Sequence, residues 1–266
     1  VALGSSIILG LCMVFGSLVP SVYYEFSPQP GKDNIGLMFT SSWGQFVLLG
    51  LLVCVVGIII SGKAGMMKDE ELQSESTDPH GTEVKTEYKF GLGLIVSIIS
   101  GILSACFNFG LEAGKPMANV ANEAWKLANP DQGEFLFQNN VTYVVVLWGG
   151  MAVNLIGCDY LAFKNKSYTD YAKKNVPTFK NILFCALAGT MWYLQFFFYG
   201  MGESKMGNGA SSWILHMAFI ILIANLWGVI IKEWKGVSKK TIITISIGMF
   251  VLLTSLLLVG YGNSLR

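Results

Sequence analysis

The sequence predicts an all-α, polytopic membrane protein with seven transmembrane helices, on three observations. Hydrophobic residues make up 53% of the 266 residues and charged residues only 13%, about half the share of roughly 25% usual in a soluble domain. The apolar residues gather into seven runs of about 20, the length that crosses a hydrocarbon core as a helix. Within those runs only Asp159 and His216 can carry charge near neutral pH. This composition excludes a disordered chain and an ordinary soluble α/β enzyme. A formal net charge of +1 gives no reason to expect a nucleic-acid partner.

The runs are Val1–Tyr24, Trp43–Ser61, Phe90–Leu111, Val141–Phe163, Ile182–Gly202, Ser211–Ile231 and Thr241–Tyr261. They lack the alternating polar face of soluble core helices, and open sheet edges cannot face lipid, so each is expected to be a spanning helix. The first starts on Val rather than Met, with no polar flank and no signal-peptide pattern. The expectation is that the natural chain extends further towards the N-terminus. Gly62–Lys89 mixes acidic and basic residues without apolar periodicity and reads as a flexible cytoplasmic linker. Glu112–Asn139 contains NVANEAWKLA, whose Val120, Ala124 and Leu127 suit a short amphipathic helix on the outer surface. Lys164–Lys180 is basic and reads as a topology signal. Of the 18 Lys and Arg residues, 13 fall in the connections after spans two, four and six. That side is expected in the cytoplasm and the C-terminus outside. Cys12, Cys54, Cys106, Cys158 and Cys185 all lie in spans and read as small, reduced, apolar residues.

Polar groups inside a span are costly, so a row of them points to a path or a site. In the third span Ser97, Ser100, Ser104, Asn108, Glu112 and Lys115 follow steps of three or four and form one stripe. Gly101 shares that face and permits close approach of a neighbour, so helix packing is the competing explanation. The fifth span reads GTMWYLQFFFYGMGE. Its Trp192, Gln195 and Tyr199 share a face that suits a sugar: rings pack on C–H groups while polar tips meet hydroxyls. Phe197 and Phe198 are expected to face lipid, and an interfacial aromatic belt is the alternative for the whole segment. His216 lies five residues into the sixth span and has the chemistry to carry a proton, or to be a hydrogen-bonded interfacial residue. Asp159 reads as a terminal carboxylate. HExxH, GxSxG and Walker A patterns and Cys/His clusters of ligand spacing are absent, so no enzyme, metal or cofactor is expected. A retinal protein would need a Lys in the last span, and Thr241–Tyr261 has none.

Four strings carry a specific resemblance: SGILSACFNFGLEAGKPM (Ser100–Met117), YVVVLWGGMAVNL (Tyr143–Leu155), GTMWYLQFFFYGMGESKMG (Gly189–Gly207), and SSWILHM with KEWKG (Ser211–Met217, Lys232–Gly236). In order and spacing they are similar to the L-rhamnose–proton symporter family of the drug/metabolite transporter superfamily, along the whole chain. The resemblance implies ten spans, of which this chain matches four to ten, in two inverted five-helix halves. Residues 1–61 would then end the first half, 62–89 would link the halves, and 90–266 would form the second. It further implies uptake of L-rhamnose with a proton across the cell inner membrane, by alternating access at a site between the halves.

The residue roles are bets on the matching segments. Trp192, Gln195, Tyr199, Asn108 and Ser104 are expected to bind substrate. Glu112, His216 and Lys115 are expected to serve proton coupling. A drug or metabolite exporter of the same fold, or a seven-helix ligand-binding receptor, are the alternatives.

Overall fold

A computed structural model describes residues 2–29, 31–75, 90–173 and 177–266. Among them the chain is helical and has no strand. The helices are α1 (Ala2–Phe26), α2 (Ile35–Thr40), α3 (Ser42–Glu75), α4 (Phe90–Ala113), α5 (Lys115–Ala128), α6 (Asn140–Lys164), α7 (Thr178–Met206), α8 (Gly209–Ile230) and α9 (Lys239–Ser264), with a 3-10 turn at Ser167–Ala172. Seven of the segments are long and apolar enough to span a membrane, one for each predicted run. The broad exposure of Trp148, Val153, Ile156, Phe163, Phe184 and Phe250 is the surface expected of helices solvated by lipid.

Two differences from the sequence reading concern boundaries. Helix α3 continues to Glu75, so the start of the predicted linker is helical, and residues 76–89 lie outside the described residues. The short helix α2 has no counterpart in the hydropathy pattern. Its Asn34 cap accepts from Leu37 N at 2.7 Å, a local signal independent of apolar content.

The helices form two compact units: Val1–Phe109 with Asn208–Arg266, and Gly110–Gly207. The first is organised around the antiparallel pair α3 and α9. Val47, Gly50, Cys54, Gly57, Ser61 and Ala64 are buried on α3, spaced by alternating threes and fours. Thr241, Ile245, Gly248, Leu252, Ser255, Val259 and Gly262 repeat that spacing on α9. This is the heptad seam of helices that cross at a shallow angle. Small residues set the separation. A Cβ on Gly57 would lie 2.9 Å from Leu252 Cγ and 3.1 Å from Leu252 N, and one on Gly248 would lie 2.5 Å from Ser61 Oγ. Lipid gives helices no hydrophobic reason to associate, so this close backbone approach supplies the attraction.

The seam is tied at both ends. At one end Glu71 caps α9 from outside that helix. Its Oε2 accepts from Ser238 N at 2.6 Å. Its Oε1 accepts from Ser238 Oγ and Thr241 Oγ1, each at 2.7 Å. At the other end Arg266 pairs with Asp33 at 3.0 Å and lies over the Trp43 ring.

Helix α1 carries Pro20 in its interior. Proline has no N–H, so the carbonyl four residues earlier, that of Gly16, loses its helical donor. Asn108 replaces it: its Nδ2 donates to Gly16 O at 2.7 Å. The same glycine leaves a slot for the Trp213 indole, whose Nε1 donates to Cys12 O at 3.1 Å.

Two outcomes are expected for unfolding in detergent. Gly57→Val, facing backbone on Leu252, destabilises by about 1–3 kcal/mol through overpacking. Asn108→Ala destabilises by about 1–3 kcal/mol because it orphans the Gly16 carbonyl. Pro20→Ala restores a backbone donor, and in that background the Asn108 substitution has a smaller effect. Additivity between the two changes would refute the pairing.

Candidate functional site

The second unit begins at the end of α4. Gly114 separates α4 from α5 and lies so close to Thr142 that a Cβ has no room. Thr142 Oγ1 donates to Gly114 O at 3.0 Å. Pro116 falls in the first turn of α5, where its missing N–H leaves nothing unpaired. This break makes Lys115 the first residue of α5 and separates it from the stripe on α4. The predicted amphipathic helix is present as α5, with Val120 and Leu127 exposed. The loop that follows folds back on it: Phe135 stacks on Trp125 at 4.9 Å, and Phe135 N donates to Asn122 Oδ1 at 2.8 Å.

Lys115 meets a carboxylate that the span boundaries left out. Its ammonium pairs with Oε1 of Glu203 on α7 and donates to Asn139 Oδ1 at 3.4 Å. Asn139 Nδ2 donates in turn to Glu203 Oε2 at 2.7 Å. The three side chains close a ring in which each carboxylate oxygen faces a donor. Ser204 Oγ stands 3.0 Å from the same Nδ2 and donates to Gly200 O. The Lys115 side chain is 19% exposed and that of Glu203 7%. A carboxylate buried so deeply keeps its charge only where opposite charge and hydrogen bonds replace water.

Aromatic residues wall the ring. Tyr143 on α6 is 1% exposed and packs against Gly200, where a Cβ would lie 2.7 Å from its hydroxyl oxygen. Tyr199, one turn before Glu203, lies within electrostatic reach of Glu203, Tyr143 and Glu112. Chemically the arrangement is an ion pair closed by an amide and shielded from solvent. Among the described residues no three His, Cys, Asp or Glu side chains gather to hold a metal ion.

The structure brings together Lys115, Glu112 and Tyr199 of the sequence-predicted site residues. Trp192 and Gln195 continue the Tyr199 face along α7, with Trp192 52% exposed and edge-on to Phe196 at 4.9 Å. Asn108, Ser104 and His216 belong to the first unit. There Ser97, Gly101, Ala105 and Asn108 are buried on α4, and Gly101 faces Leu11 and Ile8 of α1. Ser104 is exposed at the edge of that contact. His216 is half-buried and lies beside the Trp213 ring at 5.9 Å. Phe197 does not face lipid as expected. It stacks on Phe137 at 5.3 Å, whereas Phe198 is exposed.

Sequence reasoning missed Glu203 and Asn139. Ending the fifth span at Gly202 excluded Glu203 because it is charged. The available signal was spacing, since Glu203 falls four residues after Tyr199 and eleven after Trp192, on the same face.

Ionisable groups buried among lipid-length helices mark a multi-pass membrane protein with a functional site inside it. The chain belongs to the L-rhamnose-proton symport protein family, whose sequence profile matches residues 1–264. That is a family of transporters rather than enzymes. An L-rhamnose-proton symporter of Pectobacterium carotovorum subsp. carotovorum (strain PC1) is 32% identical over 267 residues, covering 98% of this chain and 70% of the relative. Symporters of the same name from Yersinia pestis (strain Pestoides F) and Yersinia pseudotuberculosis serotype O:3 (strain YPIII) are 30% identical with the same coverage. No solved structure matches the chain.

Removing one member of the buried pair strands the other. Lys115→Met is expected to destabilise by about 3–5 kcal/mol, and Lys115→Met with Glu203→Gln by clearly less. Unfolding of both variants in detergent measures the difference. Equal losses would mean that the pair is not coupled.

Proposed function

We propose that the protein imports L-rhamnose together with protons across the cell inner membrane, by alternating access. Membership of the symporter family supports the substrate pair. The observation that carries the coupling is the buried Lys115–Glu203–Asn139 ring, an acid–base group kept among spanning helices. A proton moving down the membrane potential supplies about 2.3 kcal/mol per 100 mV, so uphill uptake needs no nucleotide or other cofactor.

In this reading residues 1–61 close one half of an inverted repeat and residues 90–266 form the other. The side holding 13 of the 18 basic residues faces the cytoplasm and the C-terminus lies outside. Trp192 and Tyr199 pack on the apolar face of the sugar, and Gln195 meets its hydroxyls. Ser104 supplies polar surface on α4, where Asn108 is buried and bonded to Gly16. Glu112, Lys115 and Glu203 of the second unit are the ionisable groups near the proton path, with His216 of the first unit a separate candidate.

Cells carrying the protein should take up labelled L-rhamnose, alkalinise a weakly buffered medium on its addition, and lose accumulation when a protonophore collapses the gradient. Trp192→Ala should raise the half-saturating rhamnose concentration about tenfold, the weight of one stacked ring. Uptake without alkalinisation would refute proton coupling, and unaltered kinetics in Trp192→Ala would remove that ring from the sugar site.

A further inference from the structure

We propose that Glu203 is the group that takes up the transported proton, with Lys115 and Asn139 as positioning residues that keep it charged until the proton arrives. The assignment rests on the proton-coupled reading above and adds the residue on which that reading turns.

Geometry carries it. Glu203 is 6% exposed, with Lys115 on Oε1 and Asn139 Nδ2 2.7 Å from Oε2. The ring is neutral as a whole, which suits a site buried among spanning helices. Its members come from α5, the residue preceding α6, and α7, so the carboxylate holds three segments at one point. The ionisable groups that face it are Lys115 of α5, Tyr143 of α6 and Tyr199 of α7, with Glu112 of α4 beyond Tyr199. Lys115 is the one cation in that set, so the charge on Glu203 is balanced by that single ammonium.

The step balances in protons alone. A hydronium from the outer side gives one proton to a Glu203 oxygen and leaves as water. The carboxyl is then neutral and the Lys115 ammonium has lost its counter-charge. That oxygen now carries a hydrogen and accepts only weakly, without the help of charge, so the ring opens. Release of the same proton to water on the inner side restores the carboxylate, and the ring closes again. One positive charge crosses per proton, and the sugar adds none. Asn139 serves both states, because its amide pairs with the carboxylate when charged and its Oδ1 still accepts from Lys115 when it is not.

The test uses the protein reconstituted in vesicles and labelled L-rhamnose, with two readouts. One is uphill accumulation driven by an inward proton gradient. The other is rhamnose exchange at equal concentrations with no gradient. Glu203→Gln imitates the protonated state in shape. It should lose uphill accumulation, with internal sugar reaching only the external concentration, while exchange persists. Lys115→Met with Glu203→Gln removes both charges and should behave the same way, which covers the case in which the single variant does not insert. Glu203→Asp should recover part of the accumulation. A Glu203→Gln protein that still concentrates rhamnose would overturn the assignment. So would neutral variants that are inserted and monodisperse yet lose exchange as fully as accumulation, the mark of a merely structural pair. Unsubstituted protein that exchanges rhamnose but never accumulates it would refute the proton-coupled reading instead.

Discussion

Hydrocarbon offers no hydrogen bonds, and each part of this chain answers that constraint. Backbone groups must find partners within the protein, so the spans are helices. Where Pro20 breaks the pattern, the carbonyl of Gly16 is met by a side chain from another helix, Asn108. Where a carboxylate is buried, both of its oxygens are met by Lys115 and Asn139. Water would have satisfied both in a soluble protein. Here each need becomes a tie between segments far apart in sequence, and those ties give the units their form.

The same constraint governs packing. Helices surrounded by lipid gain little from hiding leucine, so α3 and α9 rely on glycine and serine to bring their backbones close. The alternating spacing of buried residues on both helices matches along the whole seam. Polar bonding and close packing are thus separable contributions. The seam holds the first unit along its length, while Glu71 and Arg266 fix where it starts and stops.

Much of this architecture was legible in the amino-acid order. Seven lengths of apolar sequence gave seven helices, because hydropathy and span length are properties of a segment alone. The amphipathic α5 was legible for the same reason. Boundaries were harder. Lys63, Lys68 and Asp69 argued for a linker, yet α3 runs on through them to Glu75, because Ser61 and Ala64 still belong to its packed seam and Glu71 has a partner on α9. Glu203 was lost to the rule that found the spans: a charge was taken to end the helix, whereas its partner lay 88 positions earlier at Lys115. Asn108 was read as part of a polar stripe. Its bond to Gly16 depends on Pro20 of another helix, and one-dimensional spacing does not contain that relation. Pairings across helices were the illegible part, while properties of single helices were plain.

The seam between α3 and α9 also bears on how the chain is made. Helix α9 is the last of the described helices to leave the ribosome, roughly 190 residues after its partner. Until then the glycine-lined face of α3 has nothing to receive it, and the Glu71 carboxylate has no cap to make. The first unit is therefore completed only once α9 has followed α3 into the bilayer. Until then α3 stands as a half-finished interface, its glycine-lined face open to whatever else the membrane presents.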